Sequence, residues 1–282
     1  DRKGKILSLA QILVRVYPFS NCIAWCPGGP IGNVSTINED FINICVKAIG
    51  CSKIYLRISP LSAYELINKD KLISNGWKSP KYKLSTGLSM HINLTIDKKI
   101  LYNNLSKNWK RNLKRFKEDR LTISKWDKPE IESMINLYSK MESYKNIRQQ
   151  HTKQSLSDLF KYFGSNIIIF RCDYDNELVA IRAALIDNNK GRDLLAATDQ
   201  IARKYYGSHA LFWNLLMYCK TTGVTSYDLS GINPKKGGTG VYNFKKGTGA
   251  NLVTYLGEWE WGSNTILTMI TNYVIKSKND TF

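Results

Sequence analysis

The sequence predicts an α/β protein built from mixed sheets, and three observations carry that expectation. Short strand-like runs alternate with helical patterns from Gln11 onward. The 282 residues suffice for one large domain or two moderate ones. A content of 43% hydrophobic and 11% aromatic residues is that of a packed chain.

Gln11 to Phe19 alternates apolar and polar residues and reads as a strand. Cys22 to Cys26 is a second, ended by the turn Pro27-Gly28-Gly29-Pro30. Thr36 precedes a helical pattern carrying Phe41, Ile42, Ile44, Cys45 and Ala48 on one side, stopped by Gly50. Lys53 to Ile58 is a strand closed by Ser59-Pro60, and Tyr82 to Leu94 holds one or two more. From Lys98 to Lys117 the chain reads as one helix, with Leu101, Leu105, Trp109, Leu113 and Phe116 in an arc of about 120°. Lys107, Lys110, Arg111, Lys114, Arg115 and Lys117 fill the other side, with Glu118 and Asp119 only at its end. Such a face repels itself and suits an anionic partner, although a merely solvated face is the other reading.

The second half restarts at Leu121. Asp127-Lys128-Pro129-Glu130 predicts a helix start with Asp127 as N-cap, running to about Tyr144. Ser155 to Phe163 is a further helix. Asn166 to Cys172 and Leu178 to Ile186 are strands around the polar turn Asp173–Glu177, followed by a short strand, Leu194 to Thr198. A helix from Ser208 to Thr222 ends at Gly223. Tyr227-Asp228-Leu229, a strand from Asn251 to Trp259 and a helix from Asn264 to Ile275 complete the reading.

The formal charge of +18 predicts attraction to polyanions such as nucleic acid, nucleotide-linked precursors or an acidic membrane surface; a general lysine bias explains it equally well. Six irregularly spaced cysteines, without a Cys-x-x-Cys pair, argue against a structural zinc site and a disulfide scaffold. They read as small buried hydrophobes in a reducing compartment. His91, His151 and His209 lack metal-ligand spacing, so no metal is expected. No apolar run approaches the roughly 20 residues that span a bilayer.

The richest stretch is Tyr227-Asp228-Leu229-Ser230-Gly231-Ile232 followed by Tyr242-Asn243-Phe244-Lys245-Lys246-Gly247-Thr248-Gly249. It reads as a strand, a glycine- and lysine-rich loop, and entry into a second strand. Glycine lets backbone approach a ligand closely, and lysine brings a point charge to an anion.

These residues, with Tyr255-Leu256-Gly257-Glu258, resemble the C-terminal signature of the Fem-type peptidoglycan-bridge aminoacyltransferases. Trp25-Cys26-Pro27-Gly28-Gly29-Pro30 is similar to that family's early turn, and Trp109-Lys110-Arg111-Asn112-Leu113-Lys114-Arg115 to its arginine-bearing helix. The resemblance implies tandem GNAT-like acyltransferase halves, of which the first could be truncated: 1–119, ending in the basic helix, and 120–282. It implies a cytoplasmic enzyme, open to work at the inner face of the membrane, that transfers an amino acid to an amine of a cell-wall precursor. The donor it implies is aminoacyl-tRNA, with no cofactor. The acceptor is a nucleotide- or lipid-linked muropeptide.

The same resemblance makes Lys245 the group that stabilises the oxyanion, with Phe244 packed beside the donor's acceptor end. Asp228 is expected to orient the loop or the amine, and Tyr227 to be core. Gly231, Tyr242, Lys246 and Gly247 complete the signature, with Lys246 harder to place. Arg111, Arg148 and Lys153 are candidates for holding precursor phosphates. The fold's coenzyme A loop would fall at Lys204-Tyr205-Tyr206-Gly207-Ser208-His209; only Gly207 and Ser208 suit it, and histidine obstructs close approach. Acyl-CoA-dependent N-acylation of an amino sugar in surface polysaccharide synthesis is thus the second reading. A third is a non-catalytic nucleic-acid binder, although no RNA-binding module is recognisable. One departure stands out. Where the family commonly has Asp-Leu, considered for a base, this chain has Asn93-Leu94, and asparagine takes no proton at neutral pH.

Overall fold

The computed structural model describes residues 6–116, 120–234 and 239–279. In chain order its elements begin with β1 (Ser8–Leu9), β2 (Leu13–Tyr17), β3 (Asn21–Cys26), β4 (Ile31–Gly32), α1 (Glu39–Ile49), β5 (Lys53–Ile58) and α2 (Leu66–Ser74). Next come β6 (Leu88–Asn93), α3 (Lys98–Asn104), α4 (Lys107–Arg115), β7 (Thr122–Lys125), α5 (Ile131–Lys145), α6 (Lys153–Phe163), β8 (Ile167–Tyr174) and β9 (Glu177–Asp187). The remainder is β10 (Lys190–Thr198), α7 (Gln200–Lys204), α8 (Gly207–Thr221), β11 (Ser226–Asp228), α9 (Thr239–Lys246), β12 (Asn251–Thr254), β13 (Trp259–Gly262) and α10 (Thr265–Asn279). The strands form mixed sheets, as the sequence predicts.

Two compact units result: Asp1–Ser89 with Gly231–Asn233 and Val253–Phe282, and Met90–Ser230 with Pro234–Leu252. They do not coincide with the segments 1–119 and 120–282. β6 pairs with β11, and α4 packs on α8, so residues 90–116 go with the second unit. β13 and α10 both pack on β5, which places the C-terminal residues in the first.

The first unit holds a four-stranded sheet of order β13-β5-β3-β2, in which only β3 and β5 run parallel. Period-two alternation puts Cys22, Ala24 and Cys26 beside Ile54, Leu56 and Ile58 on one face, where Ile42, Cys45, Leu72 and Trp77 cover them. Asn38 caps α1, accepting from the Phe41 N–H, and Gly50 ends it in the left-handed region at φ 70°. The sequence reading passes over α2, because Leu66, Ile67 and Ile73 are exposed and only Leu72 is buried. The strand read from Asn251 to Trp259 is interrupted. Gly257 has φ 74°, and the buried Glu258 carboxylate accepts from Arg57 Nε at 2.9 Å and from the N–H groups of Leu84 and Ser85. A buried charge needs such partners, and a straight strand would not deliver them all.

The second unit is built on the sheet of order β12-β6-β11-β10-β9-β8-β7. α5 and α6 cover one face through Met134, Leu137, Met141 and Leu156 against Ile169, Ile181 and Leu195. α7 and α8 cover the other. Asp127 does not cap α5: Glu130 occupies that position, and Asp127 pairs with Lys125 at 2.6 Å. The helix read from Lys98 to Lys117 is two helices. Ser106 breaks it and caps α4, its hydroxyl accepting from the Trp109 N–H. The apolar stripe runs on across the break, since Leu101, Leu105 and Trp109 are all buried. Residues 117–119 lie outside the described residues. Five of the six thiols are buried and all six are free, as small hydrophobes would be.

Candidate active site

The Phe244-Lys245-Lys246 segment is not a turn. It is the last turn of α9, and Lys245 is only 8% exposed. Docking of the helix's carbonyl end explains why: Trp109 Nε1 donates to the Phe244 carbonyl at 2.8 Å, and the Ser106 N–H donates to the Gly247 carbonyl at 2.9 Å. The glycines after it serve close approach of protein rather than of ligand. A Cβ on Gly247 would overlap the Trp109 indole. Gly249 has φ 77°, and a Cβ there would lie 2.5 Å from the Asn104 carbonyl oxygen. Gly249→Ala is therefore expected to cost about 2–4 kcal/mol, combining left-handed strain with overpacking, as a urea midpoint would show.

Around Lys245 the second unit gathers the sheet's central strands. β10 and β11 run parallel only where Lys190–Arg192 meets Ser226–Asp228, and beyond that register β10 pairs with β9 alone. Ser230 spans the parting. Its hydroxyl donates to the Asp193 carbonyl at 2.9 Å, its N–H to Asp228 Oδ1 at 2.7 Å, and its backbone is left-handed at φ 63°. The Ser230 carbonyl thereby accepts from Lys245 Nζ at 3.3 Å. Burial draws the Lys245 pKa below the ordinary lysine value; Asp193 and Asp228 oppose the shift and Arg182 adds to it.

Arg182 and Asp193 are joined by two hydrogen bonds, Nε to Oδ1 at 2.9 Å and Nη2 to Oδ2 at 2.6 Å. The guanidinium lies 4.6 Å from the Phe212 ring centroid and 4.9 Å from that of Phe244. Tyr227 is fully buried, as expected, and its hydroxyl reaches Asp193 Oδ1 at 3.4 Å. Phe244 packs in a ring cluster with Trp109 at 5.0 Å, His209 at 5.1 Å and Phe212 at 5.7 Å. Asp228 also stands 3.4 Å from His91 Nε2 and 3.5 Å from Arg192 Nε. Lys245, Phe244, Asp228 and Tyr227 are thus brought together.

The sequence reading missed Arg182 and Asp193. A signal existed, since Arg182 interrupts the apolar run Leu178 to Ile186. It also missed the partners of His209. Asn112 Nδ2 lies 3.2 Å from His209 Nε2 and donates to it, while the buried Nδ1 has no hydrogen-bond partner among the described residues. Burial, with Arg182 adding to it, lowers this histidine's pKa to about 4. The unfolded chain then takes up the proton first as pH falls. Stability should drop between pH ~6.5 and ~4, by about 2 kcal/mol at pH 5. Comparing urea midpoints of the protein and of His209→Gln at pH 7 and 5 checks this.

Other predicted residues lie elsewhere. Arg111 is exposed and bonded to Asn108, Lys153 is paired with Glu132 at 2.7 Å, and Arg148 is exposed between α5 and α6. Lys246 is exposed, with Nζ 5.9 Å from the Tyr242 ring centroid, and Gly231 is exposed after Ser230. Gly207 is packed: a Cβ there would come within 2.9 Å of Leu121 and 3.3 Å of Cys172 Sγ. Ser208, half-buried, follows it in the first turn of α8. Asn93 Oδ1 accepts from the Thr95 N–H and hydroxyl, and Asp97 caps α3. A surface cavity of about 590 Å³ is lined by Trp126, Phe160 and Ile167 among others, none of them in the Lys245 constellation. Among the described residues, no cluster of three or more His, Cys, Asp or Glu could hold a metal, and no helix is long and apolar enough to cross a membrane.

The mixed sheets and their helices form the fold that the chain shares with the solved structures below. Residues 170–276 match the model of the FemAB family, which bears out the Fem-type resemblance. The chain is similar in structure to FemX, with TM-score 0.81 and 14% identity over 96% of this chain and 89% of that one. It is also similar to the C-terminal domain of an Agrobacterium fabrum protein assigned as a lysylphosphatidylglycerol synthetase, at TM-score 0.60 and 14% identity over 94% and 84% of the two chains. L-PGS from Bacillus licheniformis gives 0.57 and 13% over 94% and 85%. No curated protein sequence matches significantly.

Proposed function

We propose that the protein is a non-ribosomal aminoacyltransferase that moves an amino acid from aminoacyl-tRNA to an amine of a peptidoglycan or cell-envelope precursor. The observation that carries this reading is the buried Lys245, fixed on the Ser230 carbonyl where β10 and β11 part. In the reaction the acceptor amine attacks the ester carbonyl. A C–N bond forms, the C–O bond to the ribose breaks, and the proton lost by the amine goes to the departing ribose oxygen. The Lys245 ammonium lowers the barrier by meeting the charge that develops on the carbonyl oxygen. Positioning supplies the rest, without a covalent enzyme intermediate. Asn93 and Asp97 are committed to local turns, so neither is assigned the proton transfer.

Aminoacyl-tRNA is favoured over acyl-CoA because Gly207 is packed against Leu121 and Cys172, and His209 is turned into the ring cluster. A basic chain also suits tRNA, whose binding should weaken steeply with salt. Incubation with labelled aminoacyl-tRNA or labelled acetyl-CoA and a nucleotide-linked muropeptide tests the reading. Transfer of the amino acid supports it. Transfer of acetyl, or retention of tRNA without transfer, overturns it.

A further inference from the structure

α10 is packed inside out. Its inward side presents Leu267, Thr271 and Asn272, all at or below 9% exposure, and Asn272 Nδ2 donates to Glu260 Oε2 at 2.9 Å. Its outward side carries Ile266, Met269, Ile270, Tyr273 and Val274, exposed by 67, 66, 56, 71 and 44%. Their spacing of i, i+3, i+4, i+7 and i+8 makes one continuous apolar stripe. An ordinary surface helix shows the opposite arrangement, and large contiguous apolar patches mark interaction sites.

Charge identifies the occupant. Residues 265–279 contain no acidic residue, and neither do residues 71–96. Near the end of α10, Lys276 Nζ lies 6.0 Å from the Tyr82 ring centroid and Lys81 Nζ 5.7 Å from the same ring. Two ammonium groups thus converge beside the stripe, with the exposed Lys78 close by in sequence. A second copy docked on this face would bring like charges together on a chain already at +18. An anionic lipid surface supplies both the apolar medium and the counter-charge.

We infer that the outward face of α10 is a docking site for an anionic lipid surface. Ile266, Met269, Ile270 and Tyr273 enter the headgroup–acyl boundary, and Lys81 and Lys276 meet lipid phosphates. This does not rest on the transfer reaction, since vesicle binding and turnover are separate measurements. The test is co-sedimentation with phosphatidylcholine vesicles containing about a quarter phosphatidylglycerol, and with phosphatidylcholine alone. The protein is expected on the acidic vesicles, with weaker binding to the neutral ones and at high salt. Met269→Ser/Ile270→Ser/Tyr273→Ser, altering exposed residues only, should lower affinity about tenfold or more with an unchanged circular dichroism spectrum. Lys81→Gln/Lys276→Gln should weaken binding and flatten its salt dependence. Equal binding to both vesicle types, undiminished binding of the serine variant, or no binding at all overturns the inference. So does a dimer in sedimentation that the serine variant disperses, which would make the face an interface between copies.

Discussion

Replacing Lys245 with methionine is expected to lower the rate of the proposed aminoacyl transfer about 10²–10³-fold and to leave the unfolding midpoint unchanged or higher. The two effects have different origins. An ammonium only 8% exposed has lost most of its hydration, which the folded state must offset with partners. Methionine fills a similar volume without that cost, so packing around Phe244 and Ser230 survives. Asp193 keeps Arg182, and Asp228 keeps the Ser230 N–H and its neighbours His91 and Arg192. What the proposed reaction would lose is the ammonium charge offered to the developing oxyanion. The pH profile separates the two further. Since the Lys245 pKa is lowered by burial, the ammonium discharges at a pH below the ordinary lysine value of 10.5, and transfer falls as pH rises through that point. Stability moves the other way: the unfolded lysine binds its proton more tightly, so stability rises across the interval between the lowered pKa and the ordinary one. The methionine variant should show neither limb. Near-normal turnover in it would remove Lys245 from the chemistry.

Much of this arrangement can be read from the chain before any coordinates, and the limits are physical. Lys53–Ile58 is found to the residue because Ile54, Leu56 and Ile58 recur with a period of two, but that pattern does not show that Tyr55 and Arg57 between them are buried as well. Tyr227, which opens the C-terminal signature, reads as core and is fully buried. α9 does not read as a helix, because glycine and lysine dominate its surroundings and its stability comes from docking on Trp109 and Ser106, far away in sequence. The break at Ser106 is hidden because the stripe of Leu101, Leu105 and Trp109 continues through it. In α10 the periodicity is plain, but the sequence does not say that Thr271 and Asn272 face inward, since that choice follows from the buried Glu260. Arg182 stands out in its apolar run, but Asp193 sits eleven residues away across a register shift in β9 and β10, and no local pattern pairs the two.

That pair gives the second large effect. Asp193→Ala should destabilise the protein by about 3–5 kcal/mol, because it leaves the Arg182 guanidinium, 9% exposed, without its carboxylate. Arg182→Met alone should cost a comparable amount by stranding Asp193. Removing both charges, in Arg182→Met/Asp193→Leu, should recover most of the loss, because apolar groups of similar volume replace a desolvated pair. Activity should not recover with it. The guanidinium lies against Phe244, and Asp193 does more than Asp228 to favour the charged form of Lys245, so the double variant leaves the ammonium less favoured and the ring less fixed. Asp193→Asn isolates the electrostatic part. It keeps a side chain of the same shape, and its basic limb in the transfer profile should move to lower pH, with a smaller loss of rate at pH 6 than at pH 9. A role confined to folding predicts something else: a uniform loss at every pH, reversed in the double variant along with the stability.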